Sequence, residues 1–209
     1  MLVIKYRKTD SICFISHIDL LRHTERVLRR AHIDVRFSQG FNPHPLMYFS
    51  PPLALGVASE AEYLTIDSDM DEEYVLSAYN KSVPDGQKAD KIFKCSKNPN
   101  LQAKVVCADY VFPTKKDFQA GGDFFVEYQK KGEIIRENVA DKIYAVFKKD
   151  GNLVLRLASG MTNLRPDRVL ATLNTLLHED MSVCGVKKIA QYVDVDGVLT
   201  DVDEFLKTV

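Results

Sequence analysis

The chain has 209 residues, 45% of them hydrophobic, and 28 Lys and Arg stand against 29 Asp and Glu for a formal net charge of -1. That length and apolar fraction suffice for one large core or two smaller ones of about 100 residues each. The balanced charge excludes a protein that binds nucleic acid through global charge alone. MLVIKYRKTD contains no apolar signal core and no run of 18 apolar residues occurs, so secretion and a membrane span are excluded and a cytoplasmic location is expected.

Residues 2–7 (LVIKYR) alternate and predict a strand. Ser16 and Asp19 form an S-x-x-D start, a variant of the capping box, for a helix with Leu20, Leu21, Thr24, Val27, Leu28 and Ala31 on one side. Asp19, Arg22, Arg26, Arg29 and Arg30 fall on its other side. Residues 33–38 predict a second strand, and 60–67 a third. Between them lies a Gly/Pro-rich stretch, Gln39 to Pro45, in which prolines on both sides of His44 forbid a helix; residues 46–50 have the character of a short extended segment. Asp71 caps a helix over 72–82, and 88–95 is a fourth strand. The order is β-α-β-β-α-β, the ferredoxin-like pattern.

A polar linker, 96–103, leads to a second half in which the pattern repeats less clearly. Its elements are a strand at 105–112, a helix at 115–130 weakened by Gly121-Gly122, and extended segments at 134–136 and 142–147. Then come a hairpin turn at Asp150-Gly151 with its return strand at 153–157, a helix from Pro166 to Leu177, and a strand at 186–193 before an acidic tail. The expected fold class is therefore α+β: tandem ferredoxin-like halves, residues 1–95 and 104–209, with antiparallel sheets and helices on one face.

Four features carry candidate chemistry. His17 lies at the start of its helix beside Ser16, where the helix dipole favours an anion and lowers a histidine pKa; it reads as a phosphate contact or proton carrier, or as a satisfied core-edge histidine. The Gln39–Pro45 loop offers Phe41 to stack a base, Gln39 and Asn42 to read its edge, and His44 as a second imidazole, or it is a connector whose Phe packs. The loop Ser159 to Pro166 brings Asn163 and Arg165 to a helix start suited to phosphate, or is an ordinary capping loop. The arginine stripe, Arg22 and Arg26 foremost with Arg7 nearby in sequence, follows a phosphate backbone or is a solvated face. Residues 1–50 hold eight Lys and Arg against four acids, whereas 51–80 hold seven acids and no base, so the field is polarised locally. The four cysteines, Cys13, Cys95, Cys107 and Cys184, form no CxxC pair, so no metal and no cofactor is expected.

Several of these stretches together resemble the radical-SAM-linked family of unknown function. They are Lys5-Tyr6-Arg7-Lys8-Thr9, Phe14-Ile15-Ser16-His17-Ile18-Asp19-Leu20, Arg29-Arg30-Ala31, Phe37 to Pro45, Pro52-Leu53-Ala54-Leu55-Gly56, Ser59 to Tyr63, and Asn163-Leu164-Arg165-Pro166-Asp167. One departure is Leu46-Met47-Tyr48, where a Lys-Ile-Ser type sequence is common. The resemblance implies a partner, a radical-SAM enzyme, because members occur alone or fused behind one, and this chain lacks that enzyme's cysteines. A second likeness, by architecture alone, is to CRISPR repeat-processing endoribonucleases. The reading adopted is an accessory module, without activity of its own, that presents an RNA or RNA-bound protein to the radical-SAM partner. The alternatives are a metal-independent RNA-processing enzyme using His17 or His44, and a pure protein-docking adaptor. The Gln39–Pro45 loop and the start of the first helix are expected to share one cleft.

Overall fold

The computed structural model describes residues 1–119 and 121–209. The first half comprises β1 (Leu2–Lys8), α1 (His17–Arg30), β2 (Met47–Phe49), β3 (Ala58–Ile66), α2 (Glu72–Ser82) and β4 (Ala89–Lys94). The second comprises α3 (Leu101–Lys104), β5 (Val105–Phe112), β6 (Phe125–Lys130), β7 (Glu133–Asn138), β8 (Ile143–Lys149), β9 (Asn152–Ala158), α4 (Pro166–Leu177), β10 (Lys187–Val195), β11 (Val198–Asp201) and α5 (Val202–Leu206). Local chemistry accounts for the helix starts. Ser16 Oγ accepts from the Asp19 N–H at 3.2 Å, Asp71 Oδ1 from the Tyr74 N–H at 2.9 Å, and Pro166 opens α4, each filling or sparing one donor that a helix start leaves free.

The fold is α+β, with a mixed, mostly antiparallel sheet in the order β4-β1-β3-β10-β5-β9-β8, to which β2 adds on β3 and β11 on β10. In the first half β1 runs antiparallel to both β3 and β4, and β2 antiparallel to β3. In the second, β10-β5-β9-β8 occupy the same relative positions as β4-β1-β3-β2, with the β6–β7 hairpin where the first half has α1. The halves join where β10 lies parallel to β3, with Lys187 opposite Ala58 and Lys188 opposite Ser59.

Alternation along β1 divides its side chains. Leu2, Ile4 and Tyr6 enter a core with α1 and α2, whereas Val3 enters another with α3 and α5. The second half has its own core against α4, made by Ala108, Tyr110, Phe112, Leu153, Leu155 and Leu157 with Val169, Leu170 and Leu173. The core under α5 draws on both halves, combining Val3, Tyr63 and Phe93 with Val105, Val193 and Phe205. Helices therefore cover both faces of the sheet rather than one. The acidic tail packs because Val202, Phe205 and Leu206 recur on one side of a helical turn.

Two predicted elements are corrected. Residues 33–38 form no strand, because the Pro-rich turn that follows leaves an isolated Phe37–Pro45 bridge and scattered backbone bonds, from Arg36 to Asp67, from Leu46 to Arg36 and from Ser38 to His44, in place of a ladder. The short extended segment, β2, takes that place in the sheet. The helix expected at 115–130 is absent among the described residues, Ala120 lying outside them. There Phe124 and Val126 are buried while Phe125 and Glu127 are exposed, so a period of two prevails and β6 pairs with β7.

Candidate functional site

Three charged residues sit where strand alternation calls for apolar ones. On β1, Lys8 follows Leu2, Ile4 and Tyr6; on β3, Glu62 precedes Leu64 and Ile66; on β10, Lys188 follows Val186. Lys8 and Lys188 both lie opposite Ser59 on the intervening strand, and Glu62 lies opposite Tyr6, so the three meet at the seam between the halves. They are 3%, 4% and 2% exposed for Lys8, Glu62 and Lys188. Lys188 Nζ stands 2.7 Å from Glu62 Oε1, yet this contact lacks hydrogen-bond alignment, and Oε1 has no aligned donor. Lys8 Nζ donates to the Ile15 carbonyl at 3.0 Å.

A small gap of about 10 Å³ lies beside this cluster, lined by Tyr6, Lys8, His17, Phe49, Ser50 and Glu62. It has room for roughly one water. His17 forms the half-buried side of the gap, its ring edge-on to Phe49 at 5.6 Å. Burial, chiefly, lowers the Lys8 pKa, against the opposing pull of Glu62. Burial and then the nearby Lys8 lower that of His17. Burial raises the Tyr6 hydroxyl well above its usual range, with Glu62 adding to it. Larger clefts exist, of about 450 Å³ between the β6–β7 hairpin and α4 and about 520 Å³ around Lys5, Arg7 and Asp90. Their charged groups are largely solvated and in part paired with one another, so the seam gap is the better candidate for chemistry despite its size.

The His17 shift has a direct consequence. Its pKa is lower folded than unfolded, so the unfolded chain binds more protons near pH 6, and stability falls as pH drops below about 6.5. His23, also lowered by burial, contributes with the same sign. His17→Gln should flatten the loss of stability between pH 7 and pH 5.5 in urea unfolding. An unchanged slope would place the titration elsewhere.

The Gln39–Pro45 loop is braced at its base. Ser38 Oγ bonds His44 Nδ1 at 2.9 Å and accepts from the His44 N–H at 3.1 Å, while the Ser38 N–H donates to the His44 carbonyl. Gln39, Phe41 and Asn42 are exposed at the tip, and Phe41, at 110% relative exposure, packs against nothing. No contact supports the expected shared cleft. Among the described residues no hydrogen bond or ring contact joins this loop to His17, whose ring meets Phe49.

The cations divide into tied and free. Arg165 donates through Nε and Nη2 to the Asp167 carboxylate at 3.0 and 2.7 Å, which occupies the fork a phosphate would use; Asn163 beside it is exposed. Arg7 pairs with Asp90, Arg29 with Glu25, and Arg36 with Asp67 and Asp69. Arg22 reaches Asp19 only at 3.8 Å, and Arg26 has no acidic partner among the described residues. Ser16 serves as the cap of α1. Lys8, Glu62 and Lys188 escaped the sequence reading, although the parity of LVIKYRK and EAEYLTI places a charge on each apolar face.

Among the described residues no cluster of three or more His, Cys, Asp or Glu is arranged to hold a metal ion, and no helix is long and apolar enough to cross a membrane. The fold thus defines an α+β protein with a charge cluster buried within its mixed sheet. A family model described as "Uncharacterized protein conserved in bacteria (DUF2344)" matches residues 1–159, and the chain belongs to that family. No curated protein matches it.

Proposed function

We propose that the chain is an accessory binding module, built as two ferredoxin-like units, that presents an RNA to a radical-SAM enzyme. Each unit's strand order supports the architecture, the second with a hairpin in place of its first helix. The observation that carries the binding role is Phe41, an aromatic ring held wholly outside the packing at the tip of a loop whose base is fixed by Ser38 and His44. A ring left bare in water on a fixed loop is what stacking on a base requires. Arg26, which has no acidic partner among the described residues, and Arg22, 3.8 Å from Asp19, supply phosphate contacts. Arg7, Arg29 and Arg165 drop out of that role because carboxylates hold them. His44 Nδ1 is engaged by Ser38 Oγ and the His17 ring meets Phe49, with no hydrogen bond between the two histidines among the described residues, which favours binding over RNA cleavage.

The test uses RNA recovered with the protein from its own cells. Phe41→Ala should weaken binding by about 1–3 kcal/mol, the scale of one stacked base, and leave the thermal midpoint unchanged. Arg26→Ala should flatten the dependence of log affinity on log salt by about one unit, and Arg29→Ala, with Glu25 as its partner, by less. If the wild type holds RNA no better than a neutral control protein does, the RNA reading fails and the protein-docking adaptor takes its place, with Phe41, Phe14, Ile18 and Leu55 among the exposed apolar side chains it would use. Cleavage of that RNA by the isolated chain would make the protein an enzyme instead.

A further inference from the structure

The seam cluster is unbalanced. Two ammonium groups, Lys8 and Lys188, are buried with one carboxylate, Glu62, and a surplus positive charge out of water is costly unless it is neutralised or paired. Lys188 Nζ lies 2.7 Å from Glu62 Oε1 as its ion-pair partner, and the surplus falls on Lys8. Lys8 Nζ has three N–H donors and one acceptor, the Ile15 carbonyl, in contact. It lines the gap together with His17, whose ring packs edge-on against Phe49, another lining residue. We propose that this gap is a binding site for a small oxyanion, a carboxylate or phosphate group, one oxygen of which enters beside Lys8 while the remainder of the group sits at His17.

The dimensions select the ligand class. A space of about 10 Å³ takes one oxygen and no ring or sugar. The chemistry selects the sign. A bound anion gives Lys8 its missing acceptor and turns the His17 N–H into a charge-assisted donor. The start of the 14-residue α1, at His17, adds the positive end of a helix dipole. Two acids oppose the anion. Glu62 is already drawn to Lys188, and Asp19 is held by Ser16 Oγ and faces Arg22. The inference is independent of RNA binding, since it concerns an anionic group on any carrier.

The experiment follows the His17 imidazole resonances by NMR, assigned by their loss in His17→Gln, at pH 7 and constant ionic strength. Sodium formate is titrated in one arm and sodium phosphate in another. A saturable shift in either arm, weakened at least tenfold in Lys8→Met, supports the site, and the arm that responds identifies carboxylate or phosphate. Lys8→Met leaves the matched Glu62–Lys188 pair in place; if it does not fold, Lys8→Gln serves. No saturable shift in either arm of the wild type overturns the proposal, as does equal affinity in the Lys8 variant.

Discussion

Glu62→Gln should destabilise the chain by about 3–5 kcal/mol at pH 7, the scale for removing one partner of a buried ion pair. In a protein of this size that is a fall of roughly 6–20 °C in thermal midpoint. The glutamine is isosteric, so packing is preserved and the loss is electrostatic: Lys8 and Lys188 would face each other with no carboxylate between. Lys8→Met should fold at least as stably as the wild type, because it removes the surplus cation and keeps a neutral pair. The Lys8 pKa is lower folded than unfolded, so the unfolded state binds more protons at alkaline pH and stability rises as pH climbs toward 10.5. The penalty in Glu62→Gln should accordingly shrink between pH 7 and pH 9.5. Urea unfolding at the two pH values measures both effects, and a cost under about 1 kcal/mol at pH 7 would mean that the lysines are neutral or hydrated in the fold.

Asp109→Asn should cost about 3 kcal/mol, at the lower end of the same scale because Arg156 retains some solvent. Asp109, on β5, receives Arg156 Nε and Nη2 from β9 at 2.7 and 3.0 Å and the Tyr192 hydroxyl from β10 at 2.7 Å. Arg156 also lies over the Tyr192 ring, 3.8 Å from its centroid. One carboxylate therefore ties three neighbouring strands of the second unit, and an amide can accept on one oxygen only, leaving the guanidinium fork half filled. Tyr192→Phe removes a single donor and should cost about 1 kcal/mol. Equal costs for the two variants would show that the guanidinium pairing contributes little.

The legible elements were those whose signals are local. The Ser16 and Asp71 caps, the Pro166 start and the apolar, β-branched run of 105–112 appear in the structure at or within a residue of their predicted bounds, because each depends on hydrogen bonds or composition within a few residues. Residues 33–38 misled because their alternation was real but the proline turn behind them denied a ladder partner. Residues 115–130 misled because a helical reading was placed across Gly121-Gly122, where Phe124, Val126 and Tyr128 already carried a period of two.

The seam divides the two kinds of information most sharply. Parity alone puts Glu62 on the face of Leu64 and Ile66, and puts Lys8, one residue past the predicted strand, on the face of Leu2, Ile4 and Tyr6, although neither was among the expected site residues. The sequence by itself also determined His17 as the first residue of a capped helix. Only the tertiary structure decided that β10, more than 120 residues beyond β3, inserts beside it and carries Lys188 to Glu62. Strand order is set by which apolar faces bury one another across the whole chain, and no short-range pattern encodes it. The same holds for Phe41: its loop was legible from glycine and proline, but its exposure depended on no other element packing over it.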